Sequence, residues 1–233
     1  MDFRSTNFLK VWIFEEVMRK EQRKKKRLLR RFWNFIWHDN SLLSWVVNII
    51  LAFIIIKFLL YPGLGLVFET NLPVVAVISD SMDHKGNFDE WWGETPICTI
   101  KTPCAYTQGS WYIEHNISKE KFQEYSLFKG FVRGDVISLR GIDPEDVIIG
   151  DVIVFDINGP YPIIHRVIEI SSEENETVFL TKGDHNPYPI TQAFLDETHV
   201  LGSQIRGKAT ARIPYIGYVR LIAADFISLV SGK

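Results

Sequence analysis

The 233-residue chain reads as a mainly β protein, a coiled or barrel-like antiparallel sheet behind an N-terminal transmembrane helix. Three observations predict this. One long uncharged apolar run stands near the N-terminus. Short runs rich in Val and Ile follow it, bounded by Gly, Asp, Asn and Pro. The charge also changes sign across the apolar run: residues 1–40 hold 11 Lys and Arg against 5 Asp and Glu, whereas Pro62 to the C-terminus holds 14 against 23. Such a division predicts two parts in two compartments.

The anchor comes first. Ser41 to Ile56 (SLLSWVVNIILAFIII) carries no charge, and apolar residues continue past Lys57 through Phe58, Leu59 and Leu60. A helix over 41–61 would extend about 31 Å, the thickness of a bilayer core. The long stem of Lys57 can carry its ammonium to the interface, and Trp33, Trp37 and Trp45 cluster at the other end as interfacial aromatics do. Pro62 and Gly63 are expected to end the helix. A cleaved secretory signal fits poorly, because 40 residues precede the run and no small-x-small site follows it. The basic run KEQRKKKRLLRR (20–31) lies on the N-terminal side, so residues 1–40 are expected in the cytoplasm and the acidic bulk outside. Beside a membrane segment, that run points to anionic lipid rather than nucleic acid.

The soluble part is expected over 66–212. Its strand candidates are 72–78, 135–139, 151–157, 162–170, 177–181 and 207–213, five to nine residues each. The helix candidate here is SKEKFQEYSLF (118–128), with Ser118 as N-cap. Gly134–Asp135, Gly150–Asp151 and Gly183–Asp184 mark tight turns. A stretch from about 86 to 129 reads as an insertion, whose Trp91, Trp92, Trp111 and Tyr112 suit either a membrane- or substrate-contact surface or a packed subdomain. The apolar stretch 213–231 is interrupted by Arg220 and Asp225 and reads as a strand followed by an amphipathic or interfacial helix, in preference to a second span. Cys98 and Cys104 lack zinc spacing, and the sequence leaves a local disulfide and two buried thiols both open. Asn116 and Asn175 stand in glycosylation-type sequons. No dinucleotide or phosphate-loop fingerprint is present.

A hydrolytic serine needs a base within hydrogen-bond reach and a third group to orient that base. Three segments supply them in the order Ser, His, Asp. In VVAVISDSMDH (74–84), Ser81 lies just past a β run; in YPIIHRVIEI (161–170), His165 interrupts an apolar strand; in FLTKGDHNP (179–187), Asp184 sits at a strand-to-turn boundary. Singly, each has an ordinary structural explanation, a turn serine bonded to nearby backbone or a turn aspartate. His185 is a rival for the base, and the remaining histidines show no metal spacing.

Together the segments resemble a known family. ISDSM, GDVIVF, HRV and TKGDHN occur in the order seen in type I signal peptidases, and IPYIGYV (213–219) is similar to the last family box. Histidine rather than lysine before Arg-Val resembles the archaeal and endoplasmic-reticulum branch, and MDHKGNFDEWW (82–92) looks archaeal. The resemblance implies a signal-peptidase/LexA-like sheet and a membrane serine endopeptidase that cleaves signal peptides from exported preproteins at the cell membrane, beside the translocation channel, with no metal or organic cofactor. By position it implies Ser81 as nucleophile, His165 as general base and Asp184 as the orienting acid, with Ser79 and the Ser81 N–H near the oxyanion and Met82 as the residue after the nucleophile. Imidazole starts near pKa 6.5 and so takes a serine proton without the deep desolvation a lysine base needs. One departure stands out. Relatives often carry a second Asp a few residues past the KGD turn, where this chain has Ile190; either Asp196 on a longer loop takes that role or Asp184 acts alone. A catalytically silent tethered module, or a protease with a narrower set of surface-protein substrates, are the alternative functions.

Overall fold

The structure, a computed structural model, describes residues 3–99, 102–157, 159, 161–173, 176–192 and 194–215, with backbone alone for 3–15 and 17. By contacts the chain divides into two units, Met1–Tyr61 and Pro62–Lys233.

The first unit is helical. Helix α1 (Phe3–His38) carries the basic run along exposed turns. Ser41 caps α2 (Leu42–Ile55) by accepting from the Ser44 N–H, and the Ser44 hydroxyl donates back to Phe35 O at 2.6 Å. A π turn (Ile56–Leu60) follows, and then α3 (Tyr61–Phe68). Helical residues therefore run from Leu42 to Phe68, long and apolar enough to cross a membrane. The expectation that Pro62 and Gly63 end this helix is corrected. The π turn lets the Tyr61 N–H reach back to Ile56 O, and Pro62 enters as the second residue of a new α-helical turn, where its missing N–H costs little.

The second unit is built on a seven-stranded sheet in the order β1-β4-β11-β5-β6-β7-β10. Its members are β1 (Val74–Ala76), β4 (Val136–Arg140), β5 (Val152–Phe155), β6 (Ile163–Glu173), β7 (Glu176–Lys182), β10 (Val200–Leu201) and β11 (Ile205–Ile213). Every neighbouring pair is antiparallel. Bulges in β11 at Ile205/Gly207 and Ala209/Ala211, and in β6 at Val167/Glu169, add local twist, and the sheet curls into a half-barrel. All four residues of β5 are buried, and they alternate between two cores. Val152 and Val154 join Val77, Met82, Phe131, Ile137, Leu139 and Ala209; Ile153 and Phe155 join Val147, Val167, Phe179, Leu195 and Val200.

Two of the Gly-Asp dipeptides act alike. Gly134 and Gly150 hold φ of 91° and 94°, a region that favours glycine. The next carboxylate accepts the N–H three residues back, Val132 at 2.8 Å for Asp135 and Ile148 at 3.1 Å for Asp151. Each aspartate also pairs with a β11 cation, Asp135 with Arg212 and Asp151 with Lys208, so the starts of β4 and β5 are tied to the same strand.

Between β1 and β4 lie α4 (Phe88–Gly93), the β2–β3 hairpin (Ile97–Thr99, Thr102–Pro103), α5 (Gln108–Glu114) and α6 (Lys119–Gln123). The 118–128 helix is thus five residues long, though Ser118 caps it as expected. The other two helices escaped sequence reading because six or seven residues crowded with aromatics show no helical period. Trp91, Trp92, Trp111 and Tyr112 are buried together with Ile117, Phe122 and Ile168, which decides for the packed subdomain and against a contact surface. Cys98 and Cys104 are joined in a disulfide across the hairpin. Of 213–231, only the first three residues are described; Asn175 also lies outside the described residues.

Candidate active site

Ser81 sits in the polar turn that follows β1. The turn is closed by Asp83 N–H to Asp80 O at 3.0 Å, and its far side is pinned where Met82 O accepts from Phe131 N–H at 2.9 Å. His165 stands on β6 opposite Ile153, 97% shielded from solvent. β1 and β6 are separated by three strands in the sheet order, and the curl of the sheet lets the loop after β1 cross to β6. There His165 Nε2 lies 2.8 Å from Ser81 Oγ. Ser79 Oγ lies 3.2 Å from Ser81 Oγ on the exposed side.

The other ring nitrogen of His165, Nδ1, meets a carboxylate, and it belongs to Glu197. Glu197 is fully buried in the turn between β9 (Leu195–Asp196), which pairs with β8 (Thr191–Gln192), and β10. Its Oε1 also accepts from Thr181 Oγ1 at 3.1 Å, and its Oε2 from Ile190 N–H at 2.8 Å. A group surrounded by donors in this way is an acceptor, so Nδ1 carries the imidazole proton, and Nε2 is left as the acceptor for the Ser81 O–H.

Asp184, expected to orient the imidazole, does something else. Its carboxylate accepts from Arg166 Nε at 2.9 Å and Nη2 at 2.7 Å, from Tyr112 O–H at 2.8 Å, and from His84 Nε2 at 2.9 Å. Arg166 spends its remaining donors on Ser126 O, Leu127 O and Gly150 O. Burial alone would raise the Asp184 carboxyl, but the Arg166 guanidinium overrides it and holds the group well below the usual carboxylate range. Asp184 is the ionised centre of a buried hub. Asp196, the substitute acid, is exposed and accepts from its neighbour Thr198. His185 offers its backbone N–H to Ser81 O at 2.8 Å, while its ring stands 3.8 Å from Glu94. Met82 is buried, and its sulfur accepts from Asp184 N–H at 3.3 Å.

The turn after β7 is packed against the nucleophile segment. A Cβ on Gly183 would stand 2.8 Å from both His165 Nε2 and Ser81 O, so the absence of a side chain there is what lets the two meet. Beside it, Lys182 is buried between Trp111 and Tyr112, 4.9 Å from each ring, and donates to Gln108 Oε1 and to the carbonyls of Gly183 and Asp184. Burial brings its ammonium down to about 7, against the pull of Asp184 and Glu197.

No protein-family model matches the chain. Among curated proteins it is similar to the signal peptidase complex catalytic subunit SEC11C of Homo sapiens, 33% identical over 109 residues, which cover 43% of this chain and 54% of that protein. It is also similar to the signal peptidase complex catalytic subunit SEC11 of Komagataella phaffii, 26% identical across 72% of this chain and 76% of the relative. The corresponding subunit of Schizosaccharomyces pombe is 28% identical across 71% and 75%. The chain is similar to these catalytic subunits over part of its length. Its match spans about half the length of the mammalian relatives and three quarters of the yeast ones. All three are named as catalytic subunits of a signal peptidase complex.

Sequence reasoning thus named Ser81 and His165, which the fold brings into hydrogen-bond contact, and Asp184, whose carboxylate it commits to Arg166, Tyr112 and His84. It missed Glu197. The signal lies one residue away: the family pattern favours an aspartate and so Asp196, yet neighbours in an extended or turn segment point in different directions.

Proposed function

We propose that this chain is a membrane-anchored serine endopeptidase that removes N-terminal signal peptides from exported preproteins, with Ser81, His165 and Glu197 as its catalytic triad. The observation that carries the reading is the relay itself, Ser81 Oγ to His165 Nε2 at 2.8 Å with Nδ1 against the buried Glu197 carboxylate. The names of the relatives support the substrate class.

The chemistry follows from the proton positions. Ser81 gives its hydroxyl proton to His165 Nε2 as Oγ bonds to the scissile carbonyl carbon. Glu197 stabilises the imidazolium that forms. The negative charge passes to the carbonyl oxygen, where the Ser81 N–H and the Ser79 hydroxyl are the donors at hand. Collapse of the tetrahedral intermediate breaks the C–N bond, and Nε2–H protonates the departing amine. Water, deprotonated by the same nitrogen, then hydrolyses the acyl-enzyme. The substrate lies extended along the outer edge of β1, a strand hydrogen-bonded on one side to β4.

The proposed site of action is the outer face of the cell membrane, with residues 1–40 in the cytoplasm. The basic residues before the helix and the disulfide after it support that orientation. The expected partners are preproteins, membrane lipid and the translocation channel. The test is cleavage of a preprotein by detergent-solubilised full-length protein, with Ser81→Ala and His165→Ala alongside; undiminished cleavage by either variant overturns the assignment. Protease protection of 66–212 in right-side-out vesicles would overturn the orientation.

A further inference from the structure

The aromatic subdomain between β1 and β4 has no part in the triad, yet it reaches to within three residues of the nucleophile at His84. The side chain of His84 is 99% shielded and lies flat on Trp91, with ring centroids 3.7 Å apart and planes 5° from parallel. Phe88 and Phe122 flank the pair. On its other edge, His84 Nε2 stands 2.9 Å from Asp184 Oδ2. Asp184 is ionised beside Arg166 and can only accept, so Nε2 carries the proton and Nδ1 is bare. Burial pushes the imidazole below its ordinary value, against the pull of Asp184, so the ring is neutral when it donates. Nδ1 has no hydrogen-bond partner among the described residues. A phenyl ring would fill the same stack without burying that bare nitrogen, so packing gives no reason for an imidazole here. The bond to Asp184 does.

That bond closes a bracket around Ser81. From one side, Asp184 N–H contacts Met82 Sδ, and His185 N–H donates to Ser81 O at 2.8 Å. From the other, the Asp184 carboxylate receives His84, and the same carboxylate is fixed to β6 through Arg166, the residue after His165. Nucleophile and base are therefore referred to one buried point, and the aromatic subdomain clamps it through Trp91, and through Tyr112, whose hydroxyl donates to Asp184 Oδ1.

We propose that His84 is a positioning residue for the nucleophile, holding the Ser81 turn in register with His165 by donating from Nε2 to Asp184 while stacked on Trp91. This inference rests on the serine-protease reading above. His84 takes no part in proton transfer to substrate; it acts through Asp184 and the main chain of 81–84.

The test compares His84→Phe, which keeps the stack and loses the donor, with His84→Gln, whose side-chain amide nitrogen can occupy the place of Nε2. Both are assayed as full-length protein in detergent for kcat, KM and the pH profile of preprotein cleavage. The expected result for His84→Phe is a kcat lower by about 10²-fold, the usual consequence of misplacing a nucleophile by an ångström. KM should stay within about twofold and the shape of the pH profile should not change, because substrate contacts and the base are untouched. His84→Gln should recover most of the loss. Wild-type kcat in His84→Phe, or equal impairment in the two variants, overturns the inference; so does a fall in rate that only follows loss of folded protein, read from each variant's unfolding temperature. Cleavage surviving in Ser81→Ala overturns the parent reading, whereas its loss there with full activity in His84→Phe overturns this inference alone.

Discussion

Replacing Glu197 with Gln changes one atom in a carboxylate that receives three hydrogen bonds. Oε1 faces His165 Nδ1 and Thr181 Oγ1; Oε2 faces the Ile190 N–H. A glutamine must turn its NH2 towards one side or the other. Facing Ile190, it sets two donors against each other and leaves a buried N–H unpaired, at about 1–3 kcal/mol. Facing His165, it satisfies its own donors only if the imidazole proton moves to Nε2, and the Ser81 hydroxyl then has no acceptor. The second arrangement is the less strained, and a wrong tautomer in a Ser-His-acid triad costs about 10⁴ in rate, or roughly 5 kcal/mol of transition-state stabilisation. In the first arrangement the loss of charge opposite the imidazolium still lowers the rate. The expected outcome is a kcat reduced by about 10²- to 10⁴-fold with KM little changed, measured by preprotein cleavage in detergent. Glu197→Asp, one methylene short of the ring, should fall between. A Glu197→Gln enzyme within about threefold of wild type would refute the reasoning, because the buried carboxylate would then be packing rather than orienting the base.

Asp184→Asn should behave differently. It leaves the Arg166 charge buried without its partner, so the leading effect is on stability, about 3–5 kcal/mol, seen as a lower denaturation midpoint; a purely kinetic defect would contradict the hub assignment. Gly183→Ala pushes a methyl between His165 Nε2 and Ser81 O and should abolish most cleavage although it removes no polar group; full activity would show that the turn has room to shift. Replacing both Cys98 and Cys104 by Ser opens a short loop, which the chain-entropy treatment values at about 2 kcal/mol, to be checked by thermal unfolding in oxidising and reducing buffer. The hairpin is also tied to the turn after β7, by Tyr106 O–H to Pro187 O at 2.9 Å and Tyr188 O–H to Cys98 O at 3.3 Å. Lys182 makes stability depend on pH. Burial lowers its ammonium from 10.5 to about 7, so between those values the unfolded chain binds a proton that the folded chain does not. Its contribution therefore rises with pH across that window and is least favourable below 7. Lys182→Met should flatten that rise in the unfolding temperature between neutral and alkaline pH; an unchanged slope would mean that the lysine stays charged in the fold.

The long apolar helix, the strands and the Ser81–His165 pair were legible in sequence for local reasons. An uncharged apolar run of this length suits a long helix able to cross a membrane, Val- and Ile-rich runs between turn residues suit a sheet, and the Gly-Asp dipeptides at 134 and 150 close turns by bonds to residues three back. What the tertiary structure alone decided is how the carboxylates divide the work. Asp184, Asp196 and Glu197 are all acidic residues near turns, and nothing in their spacing distinguishes an ion-pair hub, an exposed turn cap and the partner of an imidazole. That distinction depends on which carboxylate Arg166 neutralises and which one the β8–β9 hairpin carries to Nδ1. The subdomain of short helices was hidden for the same reason. Elements of five to seven residues are too brief for their own periodicity, and they hold their shape because Trp91, Tyr112 and Phe122 are buried together. Local sequence chose the chemistry available to this chain. Long-range packing, through one curled sheet and one buried aspartate, chose which residues meet.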